Sequence, residues 1–159
     1  MREPSSDPDL TAAKPLRPGR GYADFAHGDQ FAHRRSRTVT EADTVLFASQ
    51  TLAWDALGEP RPAADPYLVL AIAVGLSVED LSERSEAFLG MESVRFGAPV
   101  LPGDTISARS RVRDARRSRS NPAHGIVTWE TEARNQRGDV VVSLVRSNLF
   151  AVEDAGAAD

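Results

Sequence analysis

The chain has 159 residues, of which 41% are hydrophobic and 26% are charged, and its net charge is −4. These values are typical of one soluble globular domain and argue against global disorder. The acidic balance gives no electrostatic reason to expect a nucleic acid as a partner. The chain contains no cysteine, which excludes disulfides, thiolate nucleophiles and cysteine-ligated zinc, and fits a reducing cytoplasm.

The two ends of the chain differ in composition from its centre. Residues 1–18 are rich in Pro, Ser and Asp, and residues 153–159 are small and acidic, so we expect both segments to be disordered. The N-terminus has no apolar stretch of the kind that a secretory signal needs, and the longest apolar run is too short to cross a bilayer. The sequence therefore predicts one folded domain over residues 19–152, in a cytoplasmic protein that does not enter a membrane.

A strand over residues 31–39 and a helix beginning at Thr40 are predicted first. Thr40, with Asp43 three residues later, has the form of a capping box. A connection rich in Pro, Gly and Ala leads to a second helix, whose start is marked by Asp65 as N-cap and Pro66 in the first turn. This second helix, YLVLAIAVGLSVEDL, is apolar on nearly every side, so we expect it to be enclosed on most sides.

Four strands are predicted after the second helix, over residues 87–96, 105–115, 125–135 and 140–152. The turn Asn135-Gln136-Arg137-Gly138-Asp139 joins the last two as a hairpin. One helix without a polar face followed by four strands predicts an α+β fold, in which one antiparallel sheet wraps around the central apolar helix.

The order and spacing of several segments are more specific than any one of them. The segments are RGYADFAHGDQFAHRRSRTVTEADTVLF (20–47), LVLAIAVGLSVEDLS (68–82), VRFGAPVLPGDTI (94–106), RRSRSNPAHGIVTWETEARNQRGDVVV (116–142) and the closing strand. Together they resemble the MaoC-like branch of the hotdog superfamily, in particular its mesaconyl-CoA hydratase-like members. The resemblance implies one hotdog domain that pairs with a second subunit, as a homodimer or as a heterodimer with another hotdog subunit.

The resemblance also implies a chemistry. Family members add water to, or remove it from, an acyl thioester held in a tunnel at the subunit interface. The acyl group is carried by CoA or by an acyl carrier protein, so that CoA or phosphopantetheine is part of the substrate and no separate cofactor is expected. An Asp and a His in a D-x-N-P-x-H segment act as acid and base. Backbone N–H groups near the start of the central helix polarise the thioester oxygen.

The catalytic motif of the family is missing from this chain. The segment TLAWDALGEP (51–60) places Ala53 at the position of the catalytic Asp and Gly58 at that of the His, while Asp55 falls on the motif's Asn. Ala and Gly cannot transfer a proton. The residues therefore do not support hydration by the usual mechanism of the family.

Three nearby residues are candidates for a substitute catalytic role. Asp55 is the first choice as acid or base, with a turn or capping residue as the alternative; Glu59 is the second, with a solvated loop residue as the alternative. Tyr67, at the start of the central helix, could donate a hydrogen bond to the thioester oxygen, or it could be a buried aromatic residue with a satisfied hydroxyl. Asp65 is most simply the N-cap.

A run of arginines is the candidate binding site for the carrier of the acyl group. Arg116, Arg117 and Arg119 follow alternate arginines on the preceding strand, and this cluster could contact CoA phosphates or an acidic carrier protein. The alternative is a solvated face of the sheet. The three histidines, His27, His33 and His124, are not spaced as metal ligands, and no metal site is expected; a structural role is favoured for His33.

Three functions remain open. The leading hypothesis is an enzyme that acts on an acyl thioester by altered dehydratase, hydratase, isomerase or cyclisation chemistry, in a specialised biosynthetic pathway. The second is a non-catalytic subunit of a heteromeric MaoC-like hydratase. The third is an acyl thioesterase, in which Asp55 or Glu59 would provide the carboxylate.

Overall fold

The computed structural model describes residues 19–52 and 63–152. A short 3-10 helix, Tyr22–Asp24, precedes two α-helices and five strands. In chain order these are β1 (Gln30–Thr38), α1 (Glu41–Thr51), α2 (Pro66–Leu81), β2 (Ala87–Phe96), β3 (Thr105–Arg117), β4 (His124–Arg134) and β5 (Val140–Ala151). The predicted helices and strands are confirmed, with small differences at their ends. The predicted disorder of residues 1–18 and 153–159 concerns residues outside the described part.

The five strands form one antiparallel sheet in the order β1-β3-β4-β5-β2, so that β1 and β2 are its edges. Helix α2 lies across one face of this sheet and contacts β1, β3, β4 and β5. The predicted α+β layout, with a central helix packed on one sheet, is confirmed. Neither described helix is long and apolar enough to cross a membrane.

Both helices begin as the sequence predicts. The Thr40 side chain accepts a hydrogen bond from the Asp43 N–H, and the Asp43 carboxylate accepts one from the Thr40 N–H, which completes the capping box of α1. At the start of α2, the Asp65 carboxylate accepts a hydrogen bond of 2.7 Å from the Tyr67 N–H, and Pro66 occupies the first turn.

The enclosure of α2 differs from the prediction. One face of the helix is buried against the sheet, whereas Tyr67 is 65% exposed and Val78 is 39% exposed on the other face, as are Ala71 and Gly75. The prediction that α2 is enclosed on most sides is therefore wrong for the described chain by itself, because one sheet covers only one side of a helix. An open apolar helix face requires another cover.

The core under α2 has two apolar parts with a polar layer between them. Val69 and Ile72 belong to the cluster near the start of α2, whereas Leu81 belongs to an aromatic cluster at its end, with Trp129 and Phe150. The polar layer, defined as His33, Ser77, Asp80, Ser110, Thr131 and Arg146, lies between the two clusters along the strands and the helix.

The turn before β3 is held by one buried carboxylate. Gly103 adopts a φ of 99°, which favours glycine, and Asp104 accepts hydrogen bonds from the Arg137 and Gln136 side chains and from the Leu101 N–H. These hydrogen bonds lower the pKa of Asp104 to about 2, and the bond from Arg137 has the largest effect. The turn is thereby tied to the β4–β5 hairpin.

Candidate functional site at the start of the central helix

The first two residues of α2 offer no free backbone N–H to a substrate oxygen. Pro66, the first residue of the helix, has no N–H, and the N–H of Tyr67 is bonded to the Asp65 carboxylate at 2.7 Å. The positive end of the helix dipole therefore already faces an anionic group. A thioester oxygen placed there would lie near a carboxylate, and neither Pro66 nor Tyr67 would offer it a free N–H.

A cavity of about 260 Å³ adjoins this helix start. The residues at the beginning of α2 form one wall, and the segment after β2 forms the other, with Val141 of β5 at the base. Ala64 donates its N–H to the Val100 carbonyl at 2.7 Å, which joins the two walls. The lining residues in the described part of the chain are Ala63, Ala64, Pro66, Val69, Phe96, Gly97, Ala98, Pro99, Val100 and Val141.

Tyr67 and Phe96 form an exposed aromatic pair beside the cavity. Their ring centroids are 5.6 Å apart in an edge-to-face arrangement, and Phe96 also lines the cavity. Tyr67 is 65% exposed in the described chain, so this chain by itself does not bury its ring. Asp65 is the N-cap, as predicted. Asp55 and Glu59 lie outside the described residues, so their catalytic roles remain predictions.

The predicted arginine cluster lies at the other end of the molecule. Arg117 pairs with Gly125 across β3 and β4, beside the aromatic cluster that contains Leu81 at the end of α2. The 16 residues of α2 span about 24 Å, which separates this end from Tyr67. The structure does not bring the arginines and Tyr67 into one site within the chain.

Two of these arginines have partners within the chain. The Arg116 side chain lies 3.3 Å from Asp114, and Arg117 donates a hydrogen bond of 2.9 Å to the Pro122 carbonyl. Arg119 is exposed. The binding of CoA phosphates or of a carrier protein by Arg116, Arg117 and Arg119 remains a prediction.

His33 is part of a buried hydrogen-bonded chain. Its Nδ1 lies 2.8 Å from the Asp80 carboxylate and its Nε2 lies 2.8 Å from the Ser110 hydroxyl. That hydroxyl lies 2.8 Å from the hydroxyl of Thr131. A carboxylate, an imidazole and a serine hydroxyl in this order have the composition of a hydrolase triad, but Ser110 is only 5% exposed and lies under α2. The hydrogen-bonded chain connects α2 to the sheet, which supports the structural role predicted for His33.

Arg146 is a buried charged residue that the sequence pattern does not single out. It is 2% exposed, it donates a hydrogen bond of 3.0 Å to the Ser77 hydroxyl, and its guanidinium lies over the Trp129 ring at 5.5 Å. Burial lowers its pKa to about 10, and no carboxylate of residues 19–52 or 63–152 forms an ion pair with it. The alternation of β5 was an available signal, since it places Arg146 on the same face as Leu144 and Asn148.

The other histidines are not gathered at this helix start. His27 is exposed, and the Nε2 of His124 lies 2.8 Å from the Glu86 carboxylate at the far end of the sheet. Within the described ranges, no group of three or more His, Asp or Glu side chains could hold a metal ion.

Comparison with known proteins decides the family. The family model described as mesaconyl-CoA hydratase matches residues 7–159, which is nearly the whole chain. The chain belongs to the MaoC-like mesaconyl-CoA hydratase family. A mesaconyl-CoA hydratase from Haloarcula marismortui is 37% identical over 153 residues, which cover 89% of this chain and 42% of that protein.

Solved structures agree with this family and with the fold. A MaoC-domain dehydratase from Chloroflexus aurantiacus is 32% identical, with a TM-score of 0.79, and the match covers 92% of this chain and 44% of that one. A Mycobacterium tuberculosis protein with a double hotdog fold has a TM-score of 0.74 at 20% identity, and 47% of it is covered. This member of the mesaconyl-CoA hydratase family therefore has the hotdog fold and spans less than half the length of these relatives.

Proposed function

We propose that this mesaconyl-CoA hydratase family member binds an acyl-CoA thioester within a hydratase or dehydratase assembly and does not supply the acid and base itself. The activities for which its relatives are named, a mesaconyl-CoA hydratase and a MaoC-domain dehydratase, support an acyl-CoA thioester and the addition or removal of water. The observation that carries the proposal is the start of α2, where Asp65 occupies the Tyr67 N–H and Pro66 has none.

Water addition needs an acid–base pair and hydrogen-bond donors for the oxygen that gains negative charge. The chain has Ala53 and Gly58 where the pair belongs, and neither side chain can carry a proton. The helix start presents a carboxylate where donors are needed. These two deficiencies concern the same step of the reaction, so their combination favours a binding subunit over an enzyme that acts alone.

A second hotdog unit would supply what is missing. Strand β2 is an edge of the sheet, and three of its apolar residues are 44–56% exposed: Phe88, Leu89 and Phe96. Together with the exposed face of α2, this edge forms an apolar surface. Its exposure to water is unfavourable for an isolated domain. The double hotdog fold of the Mycobacterium protein supports a second hotdog unit as its cover. A unit that carries the Asp and His would supply the missing acid and base, whereas a copy of this chain would only cover the surface.

A turnover assay with crotonyl-CoA tests the proposal. We expect the purified chain to leave the enoyl thioester unchanged under conditions in which the Haloarcula marismortui hydratase, as the positive control, hydrates mesaconyl-CoA. We also expect a hotdog subunit that carries the D-x-N-P-x-H motif to co-purify with the chain and to bring activity. Turnover by the chain alone that is lost in Asp55→Asn or Glu59→Gln would contradict the proposal.

The exposed phenol of Tyr67 favours one alternative. Its ring packs against a residue that lines the cavity, so the chain could act by itself in a dehydration, isomerisation or cyclisation of specialised biosynthesis. Turnover that falls at least about tenfold in Tyr67→Phe would support this alternative. Release of free thiol would instead identify a thioesterase, and a requirement for acyl carrier protein would replace CoA as the carrier. A cytoplasmic location is part of the same proposal.

A further inference from the structure

The cavity at the start of α2 bears on which acyl group the protein takes, provided that the proposed thioester binding holds. We propose that this cavity holds the acyl group of a short, uncharged acyl-CoA and rejects an acyl group with a second carboxylate. The mesaconyl group named for the Haloarcula relative carries such a carboxylate. The specificity of this chain would then differ from the specificity that its relative's name describes.

The side chains that line the cavity in the described part of the chain are apolar. The lining residues are Ala, Pro, Val and Phe, together with one Gly. A carboxylate that moves from water into an apolar cavity needs a cationic or hydrogen-bonding partner. Without one, the free-energy cost of its desolvation exceeds the gain from the apolar contacts of the rest of the acyl group. An alkyl or alkenyl group has no such requirement and gains from the burial of its surface.

Among the described residues next to the cavity, the charge at the helix start has the wrong sign for a second carboxylate. Asp65 lies between two lining residues in the chain, and its carboxylate faces the helix start. Arg95 precedes the lining residue Phe96, but it pairs with Ser143 of β5 whereas Phe96 pairs with Val142. Successive side chains of a strand point to opposite faces of the sheet, so Arg95 lies on the face away from the cavity.

The size of the cavity favours a short acyl group. A water molecule takes about 30 Å³ of liquid, so 260 Å³ has room for about eight groups of that size. Small residues provide this room, above all Ala63, Ala64 and Ala98. An acyl group of about four to six carbons fits, whereas a long fatty acyl chain would have to leave the cavity.

Calorimetric titration with CoA, butyryl-CoA and succinyl-CoA tests the inference, since the two acyl groups have the same number of carbons and differ by the terminal carboxylate. We expect butyryl-CoA to bind about tenfold or more tightly than succinyl-CoA, and more tightly than CoA. Asp65→Asn is expected to strengthen the binding of succinyl-CoA more than that of butyryl-CoA. Glu79→Gln, which changes an exposed carboxylate at the other end of α2, is the matched control and is expected to change neither.

Variants that fill the cavity provide a second, independent measurement. Ala98→Leu and Ala63→Leu are expected to remove the advantage of butyryl-CoA over CoA while the binding of CoA itself persists, with folding checked by circular dichroism. Succinyl-CoA binding as tightly as butyryl-CoA, or an advantage of butyryl-CoA that survives in both filled variants, would overturn the inference and leave thioester binding intact. If neither CoA nor any acyl-CoA binds the chain, alone or together with its co-purified hotdog subunit, the proposed function falls as well.

Discussion

Asp104 shows how one carboxylate stabilises two turns at once. Its pKa is lowered to about 2 by the hydrogen bonds from Arg137, Leu101 and Gln136, from an ordinary value of 3.8. A carboxyl whose pKa is lower in the folded state stabilises the fold above its unfolded pKa and loses this contribution as the pH falls towards the folded pKa. The stabilisation by Asp104 is therefore complete above about pH 4 and disappears towards pH 2.

We expect Asp104→Asn to lower the free energy of unfolding by roughly 2 kcal/mol at pH 7. The difference between the variant and the wild type is expected to shrink as the pH falls from 4 to 2, which urea unfolding at several pH values would measure. Asp139→Asn is the control, because its exposed carboxylate should contribute less. A difference that stays constant down to pH 2 would contradict this account of Asp104.

Ser93 has an unusual backbone conformation for a residue with a side chain. Its φ is 52°, and it lies in an irregular stretch of β2 between Glu92 and Arg95. We expect Ser93→Gly to stabilise the protein by up to about 1 kcal/mol, because glycine adopts this region without steric cost, and we expect Ser93→Val to destabilise it. Thermal unfolding of the two variants would check this; a destabilised glycine variant would mean that the serine hydroxyl makes the larger contribution.

Residues whose role is local were predictable from the sequence, and residues whose partners are distant were not. Thr40 with Asp43 and Asp65 with Pro66 each act within a few positions, so the residue types alone indicate a cap. The Ser77–Arg146 bond joins residues 69 positions apart. No local pattern specifies that contact, because it depends on the register of the sheet under α2.

At the scale of elements, α2 is attached to the sheet by its polar layer as well as by its apolar residues. Ser77 accepts a hydrogen bond from the buried guanidinium of Arg146. Removal of the hydroxyl would leave the Arg146 side chain without this partner, and an unpaired buried charge is costly. Replacement of Arg146 by an apolar residue of similar length would remove both the charge and its need for a partner.

We expect Ser77→Ala to lower the free energy of unfolding by about 1–3 kcal/mol in the wild type. In an Arg146→Met background the same change is expected to cost much less, and Arg146→Met by itself should be tolerated. A double-mutant cycle measured by urea unfolding would give the coupling. Equal costs of Ser77→Ala in the two backgrounds would show that the hydroxyl does not stabilise the fold through Arg146.

The type and order of the elements followed from the sequence, whereas the surroundings of α2 did not. Alternation along β4 and the capping residues of both helices identify each element by itself. The apolar composition of α2 indicates that the helix needs cover, but it cannot tell which cover comes from the same chain. The sheet shields one side, and the exposed Tyr67 and Val78 are left for another partner.

At the scale of the whole molecule, the apolar edge at β2 predicts association with a second hotdog unit. We expect Leu89→Asp, which puts a charge on this edge, to weaken association at least about tenfold, since a buried interface tolerates an unpaired charge poorly. Leu46→Asp, on α1 and similarly exposed, is the control and should have little effect. Sedimentation over a range of concentrations would measure both; equal association of Leu89→Asp and wild type would exclude this edge as the interface.

The candidate site could be predicted only in part. The resemblance drew attention to the start of the central helix, and the structure places Tyr67 beside a cavity there. The sequence predicts that Arg116, Arg117 and Arg119 bind the carrier of the acyl group, yet these arginines lie at the opposite end of α2. The distance between two sites on a sheet cannot be predicted without the register of its strands. Whether the arginines of one unit lie near Tyr67 of another depends on the interface between the two units.

According to the proposed function, the start of α2 binds a thioester without polarising it. Infrared difference spectra of crotonyl-CoA labelled with ¹³C at the thioester carbonyl would test this most directly, because hydrogen-bond donors lower the carbonyl stretching frequency. For the chain alone we expect the bound thioester to absorb no lower in frequency than in water. A clear downshift on binding to the chain, retained in Tyr67→Phe, would mean that backbone N–H groups do polarise the carbonyl, and would contradict the account.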